Sequence, residues 1–489
     1  MSLAFPLPYG TPEAHGISSA AISAFVAGAE RGLDAVHGFM LLRHGHIIAK
    51  GWWEPYQPLE PHAVFSLSKS FTSTAIGLLI AEGRLSLDVP VLAIFPDEAP
   101  PEPSANLKAM RVRHLLSMST GHTFDTMVAM AGQADRSWVQ VFLEQPAEHA
   151  PGEQFSYQNG ATYMLSAIVH KLSGGRMLDY LQPRLFRPLG IANARWETSP
   201  QGIDTGGWGL SVTTADIATF GQLYLQEGLW QGARLLPQAW VEQATSLQVS
   251  NGSSATSDWE QGYGYQFFRC RYGTYKGAGA FGQYCLVMPA QDAVLAITAG
   301  LGDVQVLDLV WENLLPAMGS APLPEDAAAQ TALANKLASL QLRTPQGQRL
   351  SATAAHVSGQ RFAMTENRLG IKEITFDFGF GETLITIRND QGEQHIACGY
   401  ERWLIGAASL GPIDNSSHYA ALRNPGPWKV GASGAWTDES TYSAKLWWYE
   451  TPHAWTLTCR FERDRLTVQQ QTNFTMGPSE AVLLQGRLP

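Results

Sequence analysis

The apolar residues of this chain change their period once. Up to about residue 318 they recur every three or four positions, as in Ala20–Arg31, Ser66–Glu82, Met110–Ser117, Ala161–Leu172 and Thr214–Gln226. Beyond residue 343 they alternate with polar residues, as in EITFDF, ETLITIR, HAWTLTCRF and DRLTVQQQ, with Gly- or Asp-rich turns between the runs. The first period puts one apolar stripe on a helix and the second puts one apolar face on a strand, so the chain must build two different cores. Between them MGSAPLPEDAAAQ (Met318–Gln330) is poor in large apolar residues and carries two prolines, which marks a linker, and helical spacing returns over Ala327–Leu342. The expected organisation is a first domain over 1–318, a linker and helix over 319–342, and a mainly β domain over 343–489. A length of 489 residues fits two domains.

Within the first domain, strand-like runs stand at both ends. GFMLLRHGHIIAKGWW opens it and TYKGAGAFGQYCLVMPAQDAVLAITAG closes it, with MPAQD as a hairpin turn. Helices bracketed by terminal strands predict an α+β fold, an antiparallel sheet made from both ends of the domain and covered by helices. His44 and His46 flank Gly45, and this short motif reads as a hairpin turn rather than a metal site.

Composition narrows the functional classes. Hydrophobic residues at 45% and charged residues at 16% describe an ordinary globular protein. A net charge of -10 without any run of Lys or Arg argues against nucleic acid or an anionic membrane as partner. The N-terminal MSLAFPLPYGTPEAHGISS has neither a basic nor an apolar leader segment, and no stretch has the length of a membrane span, so a cytoplasmic protein is expected. Cys270, Cys285, Cys398 and Cys459 are scattered and read as buried free thiols.

Chemistry is concentrated in FSLSKSFTSTAIGLLIAEG. Phe71, Ala75, Leu78 and Leu79 recur at helical spacing and Gly83 stands at the expected end, which places Ser66 at or just before the first turn. Capping would account for one hydroxyl there. It does not account for Lys69, one turn later on the same face and turned toward the apolar side, where an amine is costly without a partner or a use. Of the nine lysines only Lys69 has a serine three positions before it. Downstream, Tyr157-Gln158-Asn159 stands immediately before an amphipathic helix; capping explains Asn159, but a phenol has no capping role. In YKGAGAFGQYCLV three glycines alternate along an expected strand, marking either the close approach of a backbone or ligand or a bulge.

Ser-Leu-Ser-Lys followed by Phe-Thr-Ser, then Tyr-Gln-Asn, then Gly-Ala-Gly-Ala-Phe-Gly-Gln before a hairpin, resembles the serine β-lactamase-like superfamily. It is similar above all to the branch of class C β-lactamases, family VIII carboxylesterases, D-aminopeptidases and 6-aminohexanoate-dimer hydrolases. The resemblance covers about residues 10–318 and includes NLKAMRVRHLLSMSTGH and GGWGLSVTTADIATFGQLYL. It implies a β-lactamase/transpeptidase-like catalytic domain, with a helical part inserted into an α/β part and the site between them. The chain departs from the family at the third motif, Lys-Thr-Gly or His-x-Gly. Gly277-Ala278-Gly279 takes that place with Ala280 after it, or, in another register, Lys276 supplies the motif's cation.

The resemblance implies a serine hydrolase acting on small esters or amides through an acyl-enzyme. Ser66 would be the nucleophile, Lys69 its proton acceptor, and Tyr157 the acid or base serving the leaving group and the water. Lysine and tyrosine ordinarily titrate near pH 10, so burial or a neighbouring charge must bring one of them down. The amides of Ser66 and Ala280 would receive the oxyanion, Asn159 would orient the substrate carbonyl or the lysine amine, and no metal or organic cofactor is called for. Two alternatives stay open: an acyltransferase built on the same acyl-enzyme, and a non-catalytic binding protein that kept the fold. A small-molecule ester or amide is the expected partner, and a homo-oligomer is compatible with the sequence.

Overall fold

The computed structural model describes residues 5–33, 35–301, 306–390, 392–412, 427–473 and 481–489. By contact they fall into two units. The first takes the chain up to Gly51, then Pro61–Ala299, then the stretch ending at Ala338; the second takes Trp52–Glu60, the short stretch that starts at Gly300, and Ser339–Pro489.

The first unit is built on a six-stranded sheet of β1 (Val36–Arg43), β2 (His46–Trp52), β3 (Phe268–Arg269), β4 (Tyr275–Gly279), β5 (Gln283–Met288) and β6 (Ala293–Ala299), in the order β2-β1-β6-β5-β4-β3. β1 pairs antiparallel with β6, β6 with β5, β5 with β4 and β4 with β3. The two ends of the unit therefore meet at the β1–β6 seam, which is the expected α+β arrangement. His44 and Gly45 both have positive φ, 49° and 73°, so HGH is the two-residue turn between β1 and β2. β1, β4, β5 and β6 are buried throughout because helices cover the sheet. The main helices are α1 (Ser19–Gly32), α2 (Ser68–Ala81), α3 (Asn159–Ser173), α4 (Thr214–Leu225) and α5 (Ala327–Ala338). α1 lays Phe25 edge-on to Phe39 of β1, and α4 lays Gly221 directly on Cys285 and Val294 of the sheet.

The stretch expected as linker is fastened to the first unit. The Gly319 and Leu323 amides donate to the carbonyls of Gly16 and Glu13, Gln330 donates to the Glu13 carboxylate, and Lys336 of α5 pairs with Glu30 of α1. The passage into the second unit falls after Ala338. α5 stops there because the Leu340 carbonyl and the Leu342 amide bond the backbone of Glu54 instead of extending the helix.

The second unit is a ten-stranded barrel: β7 (Arg361–Met364), β8 (Glu373–Phe378), β9 (Glu382–Asn389), β10 (Gly392–Gly399), β11 (Leu404–Ala408), β12 (Trp428–Trp436), β13 (Thr441–Trp447), β14 (Ala454–Glu462), β15 (Arg465–Thr472) and β16 (Val482–Arg487). Their order is β10-β9-β8-β7-β16-β15-β14-β13-β12-β11, and a parallel bridge between Gly399 and Ser433 closes β10 onto β12. Inward residues such as Ile374, Phe376, Ile385, Leu457, Phe461 and Val468 fill the centre. All four cysteines are buried free thiols. Among the described residues, no helix is long and apolar enough to cross a membrane.

Candidate active site

Ser66 lies in a single 3-10 turn, Phe65–Leu67, that leads into α2. Its hydroxyl makes no capping bond; instead it receives one from the Lys69 amine, 3.0 Å away. The other five hydroxyls of the segment are engaged with surrounding chain. Ser68 donates to the Phe65 carbonyl, Ser70 to Gln266, Thr72 to Gly206, Ser73 to Tyr265 and Thr74 to Ser70. They fasten a polar helix start inside an apolar surround, each satisfying a buried carbonyl. Ser66 is the hydroxyl left to the lysine.

Lys69 is buried, and three oxygens surround its amine: Ser66 Oγ at 3.0 Å, Asn159 Oδ1 at 2.7 Å and the Gly207 carbonyl at 2.7 Å. The Tyr157 ring lies alongside, with its centre 4.8 Å from Nζ. Burial brings the lysine pKa down from 10.5 to about 7, while the charge of Asp125 works in the opposite direction. Near neutrality the amine is therefore partly unprotonated. A neutral amine has two hydrogens and one lone pair. Asn159 Oδ1 and the Gly207 carbonyl can only accept, so they take both hydrogens, and the lone pair is left facing the Ser66 hydroxyl. This is the geometry a general base requires.

α3 positions Asn159, its first residue, and its entrance is capped from another segment. The Asp125 carboxylate accepts from the backbone amides of Asn159 and Gly160 at 2.9 and 3.3 Å, from Met127 N at 3.1 Å, and from Asn159 Nδ2 at 2.6 Å. Gln158 is buried and braces the same segment by donating to the Phe124 carbonyl and accepting from Thr126 N. The Gly207 carbonyl is held in a loop in which Thr72, Ser166 and Arg176 bind Gly206, Asp204 and Asp204 respectively.

The third segment, β4, approaches the Ser66 turn without room for side chains. A Cβ on Gly279 would stand 2.1 Å from the Val64 carbonyl oxygen, and one on Gly277 would stand 2.4 Å from Leu67 and 2.7 Å from Ser70 Oγ. The alternating glycines thus answer to a close backbone approach. Gly279→Ala is expected to push the Val64–Ser66 backbone aside and lower stability by about 1–3 kcal/mol, as read by thermal unfolding. Beyond Gly279, Gln283 is fully buried and donates to the Ala280 and Ala299 carbonyls, which fixes the turn carrying Ala280. Phe65 and Phe281, both at positive φ (47° and 67°), pack edge-to-face across this junction. Bulky residues in that conformation store strain of the kind found at functional sites.

Lys276 takes no part in this cluster. Since Gly277 and Gly279 face the Ser66 turn, Lys276 and Ala278 point to the other face of β4. There the Lys276 amine is fully buried, 3.9 Å from the ring centre of Trp259 and 5.1 Å from that of Tyr284, with no hydrogen-bond partner among the described residues. Burial lowers its pKa. Ser66, Lys69 and Asn159 are bonded directly, Tyr157 lies against them, and Gly277 and Gly279 pack on the same turn. Asp125 and the Gly207 carbonyl are the parts of the cluster that the sequence motifs did not single out.

The Beta-lactamase family model matches residues 21–309, more than half of the chain. The chain belongs to the beta-lactamase family. This beta-lactamase family member is 25% identical over 276 residues to a 6-aminohexanoate-dimer hydrolase of Paenarthrobacter ureafaciens, covering 53% of this chain and 70% of the relative. It is 24% identical over 306 residues to penicillin-binding protein 4 of Amycolatopsis lactamdurans, covering 53% and 77%. Among solved structures, a Bacillus anthracis protein described as a candidate 6-aminohexanoate-dimer hydrolase superposes with a TM-score of 0.53 at 20% identity, over 66% of this chain and 89% of that one. The matched span holds the whole cluster around Ser66 and ends before the barrel. Membership makes this protein a hydrolase-family member with the β-lactamase/transpeptidase-like fold.

Proposed function

We propose that the protein is a serine hydrolase cleaving small esters or amides through an acyl-enzyme on Ser66. The observation that carries this reading is the Lys69 amine, whose two acceptor-only partners leave its lone pair on the Ser66 hydroxyl. As Ser66 Oγ bonds to the substrate carbonyl carbon, its proton passes to Lys69, and the carbonyl oxygen becomes an oxyanion received by the backbone amides of Ser66 and Ala280. Tyr157 gives a proton to the departing alcohol or amine. Water then enters by the reverse order, its proton passing to the same groups as Ser66 is released. The relation to a 6-aminohexanoate-dimer hydrolase supports amide or ester chemistry. Gly277-Ala278-Gly279 offers a substrate only backbone groups, and Lys276 points to the other face of β4, so neutral substrates suit this wall better than carboxylate-bearing ones.

The test is chemical labelling. A fluorophosphonate is expected to modify Ser66 and neither Ser68 nor Ser70, whose hydroxyls are held by carbonyls, and Ser66→Ala should fold normally while losing both label and turnover. Peptide mapping that puts the label on another serine, or ester hydrolysis that survives Ser66→Ala, would sink the reading.

A further inference from the structure

Asp125 stands outside every motif that points to the Ser66 cluster, yet its carboxylate is among the most heavily used side chains there. One oxygen, Oδ1, accepts from the backbone amides of Met127, Asn159 and Gly160, at the starts of two helices. The other, Oδ2, accepts from Asn159 Nδ2 at 2.6 Å. A carboxylate can only accept, so the Asn159 amide has one orientation available: nitrogen toward Asp125, oxygen toward Lys69. Turned the other way, Asn159 would set its oxygen, an acceptor, against the acceptor-only Asp125 carboxylate and its nitrogen, a donor, against the amine. The lysine would then spend its lone pair on Asn159 Nδ2 rather than on Ser66.

We propose that Asp125 is a positioning residue of the hydrolase: by fixing the orientation of the Asn159 amide it turns the Lys69 lone pair onto the Ser66 hydroxyl. The inference rests on the acyl-enzyme reading above and adds to it a residue that touches neither substrate nor nucleophile. A helix cap alone would need only Oδ1. The 2.6 Å bond from Asn159 Nδ2 to Oδ2 is the part that capping leaves unexplained.

Asp125→Asn separates the two roles. The three backbone amides require an oxygen at the Oδ1 position, so the new amide nitrogen must occupy the Oδ2 position and face Asn159 Nδ2. Two donors cannot share that contact; Asn159 turns over and presents its nitrogen to Lys69. The variant should remain folded, with kcat for a nitrophenyl ester down about a hundredfold, the scale of a misaligned general base, and KM unchanged. Removing the Asp125 charge also removes an influence that holds the lysine's proton, so the acid limb of the kcat/KM profile should move to lower pH. The exchanged pair Asp125→Asn with Asn159→Asp restores an acceptor-only atom to Lys69, with the new amide nitrogen donating to the carboxylate at 159. It is expected to recover most of the lost kcat at alkaline pH. Its acid limb should lie above that of the wild type, because the negative charge now sits beside the amine.

The readouts are the pH profiles, the rate of fluorophosphonate labelling of Ser66, and circular dichroism to check folding. Loss of activity in Asp125→Asn with an unshifted acid limb, or an exchanged pair no better than the single variant, would reduce Asp125 to a cap and overturn the inference. A wild-type enzyme that takes no label at Ser66 would overturn the acyl-enzyme reading itself. Normal wild-type labelling with an equally fast Asp125→Asn removes only the inference.

Discussion

Lys69→Met is expected to lower ester turnover by about ten-thousand-fold, at the upper end of what a general base supplies, and to erase the acid limb of the kcat/KM profile. In the wild type that limb should lie near pH 7, where the buried amine gives up its proton. Activity should rise as pH climbs through this value if, as proposed, the neutral amine takes the Ser66 proton. Stability provides a second, independent readout. The lysine pKa is about 7 in the folded chain against 10.5 for an ordinary lysine, so between these values the unfolded chain holds a proton that the folded chain lacks. Folding stability therefore gains with rising pH across that window. Below about pH 7 both states carry the proton and the full penalty of burying the ammonium persists. Methionine cannot titrate, so the melting temperature of the wild type relative to Lys69→Met should rise from pH 7 to 9.5 and stay flat below pH 7. A constant difference across the whole range would mean that burial does not govern this amine. A wild-type acid limb near pH 5 or 9 would place the proton acceptor elsewhere.

The two halves of the Ser66 cluster differ in how they are written in the chain. Ser66 and Lys69 sit one helical turn apart, so their contact follows from local geometry and can be read from four letters. Tyr157 and Asn159 stand at a helix entrance, again a local signal. Asp125 acts across 34 residues and the Gly207 carbonyl across 138. A backbone carbonyl carries no residue signature, and an aspartate in a loop before a short helix looks like an ordinary cap. What aligns them on Lys69 is the packing of α2 against α3 and the 204–208 loop, which no local pattern specifies. The glycines of β4 are an intermediate case. Their alternation shows that something comes close, and only the fold shows that it is the Val64 carbonyl.

The barrel divides in the same way. β8, β9, β14 and β15 alternate cleanly and are legible. β12, read WKVGASGAW, is buried continuously from Val430 to Trp436 and is made largely of Gly, Ala and Ser, so it has no alternation to find. β10, read GEQHIACG, is short of apolar residues because its inward positions include Gln394 and its outward ones are polar or small, and β16, read VLLQGR, breaks the alternation with Leu483 on its exposed side. The apolar spacing of α5 continues past Ala338 to Leu340 and Leu342, and a helix was expected that far. Backbone pairing with Glu54 takes those two leucines instead, a tertiary preference that overrides the local one.

That pairing governs the second large effect, removal of the barrel. Truncation after Ala338 is expected to yield an insoluble or grossly destabilised protein even though it spares every residue of the Ser66 cluster. Residues 52–60 leave the first unit between β2 and α2 and are built into the second. Glu54 bonds Leu340 and Leu342 through its backbone, the Tyr56 hydroxyl donates to the Thr451 carbonyl at 2.9 Å, and the Tyr56 ring packs edge-on to Trp447. Pro55 packs on Gly431, and Glu60 pairs with Lys429. Without the barrel, Trp53 and Tyr56, now 2% and 5% exposed, lose their cover, at a cost of roughly 2–3 kcal/mol each on the scale of a buried large side chain. The same segment ends six residues before Ser66, so its collapse also frees the chain that leads into the Ser66 turn. A truncated chain in which residues 52–60 are replaced by nine Gly and Ser residues removes the stranded apolar groups. It should be markedly more soluble than the simple truncation, as judged by the soluble fraction on expression and by size-exclusion chromatography. A simple truncation that is soluble, monomeric and as active as the full chain would show that the barrel does not support the first unit. A Gly/Ser-substituted chain that aggregates equally would show that the support does not run through residues 52–60.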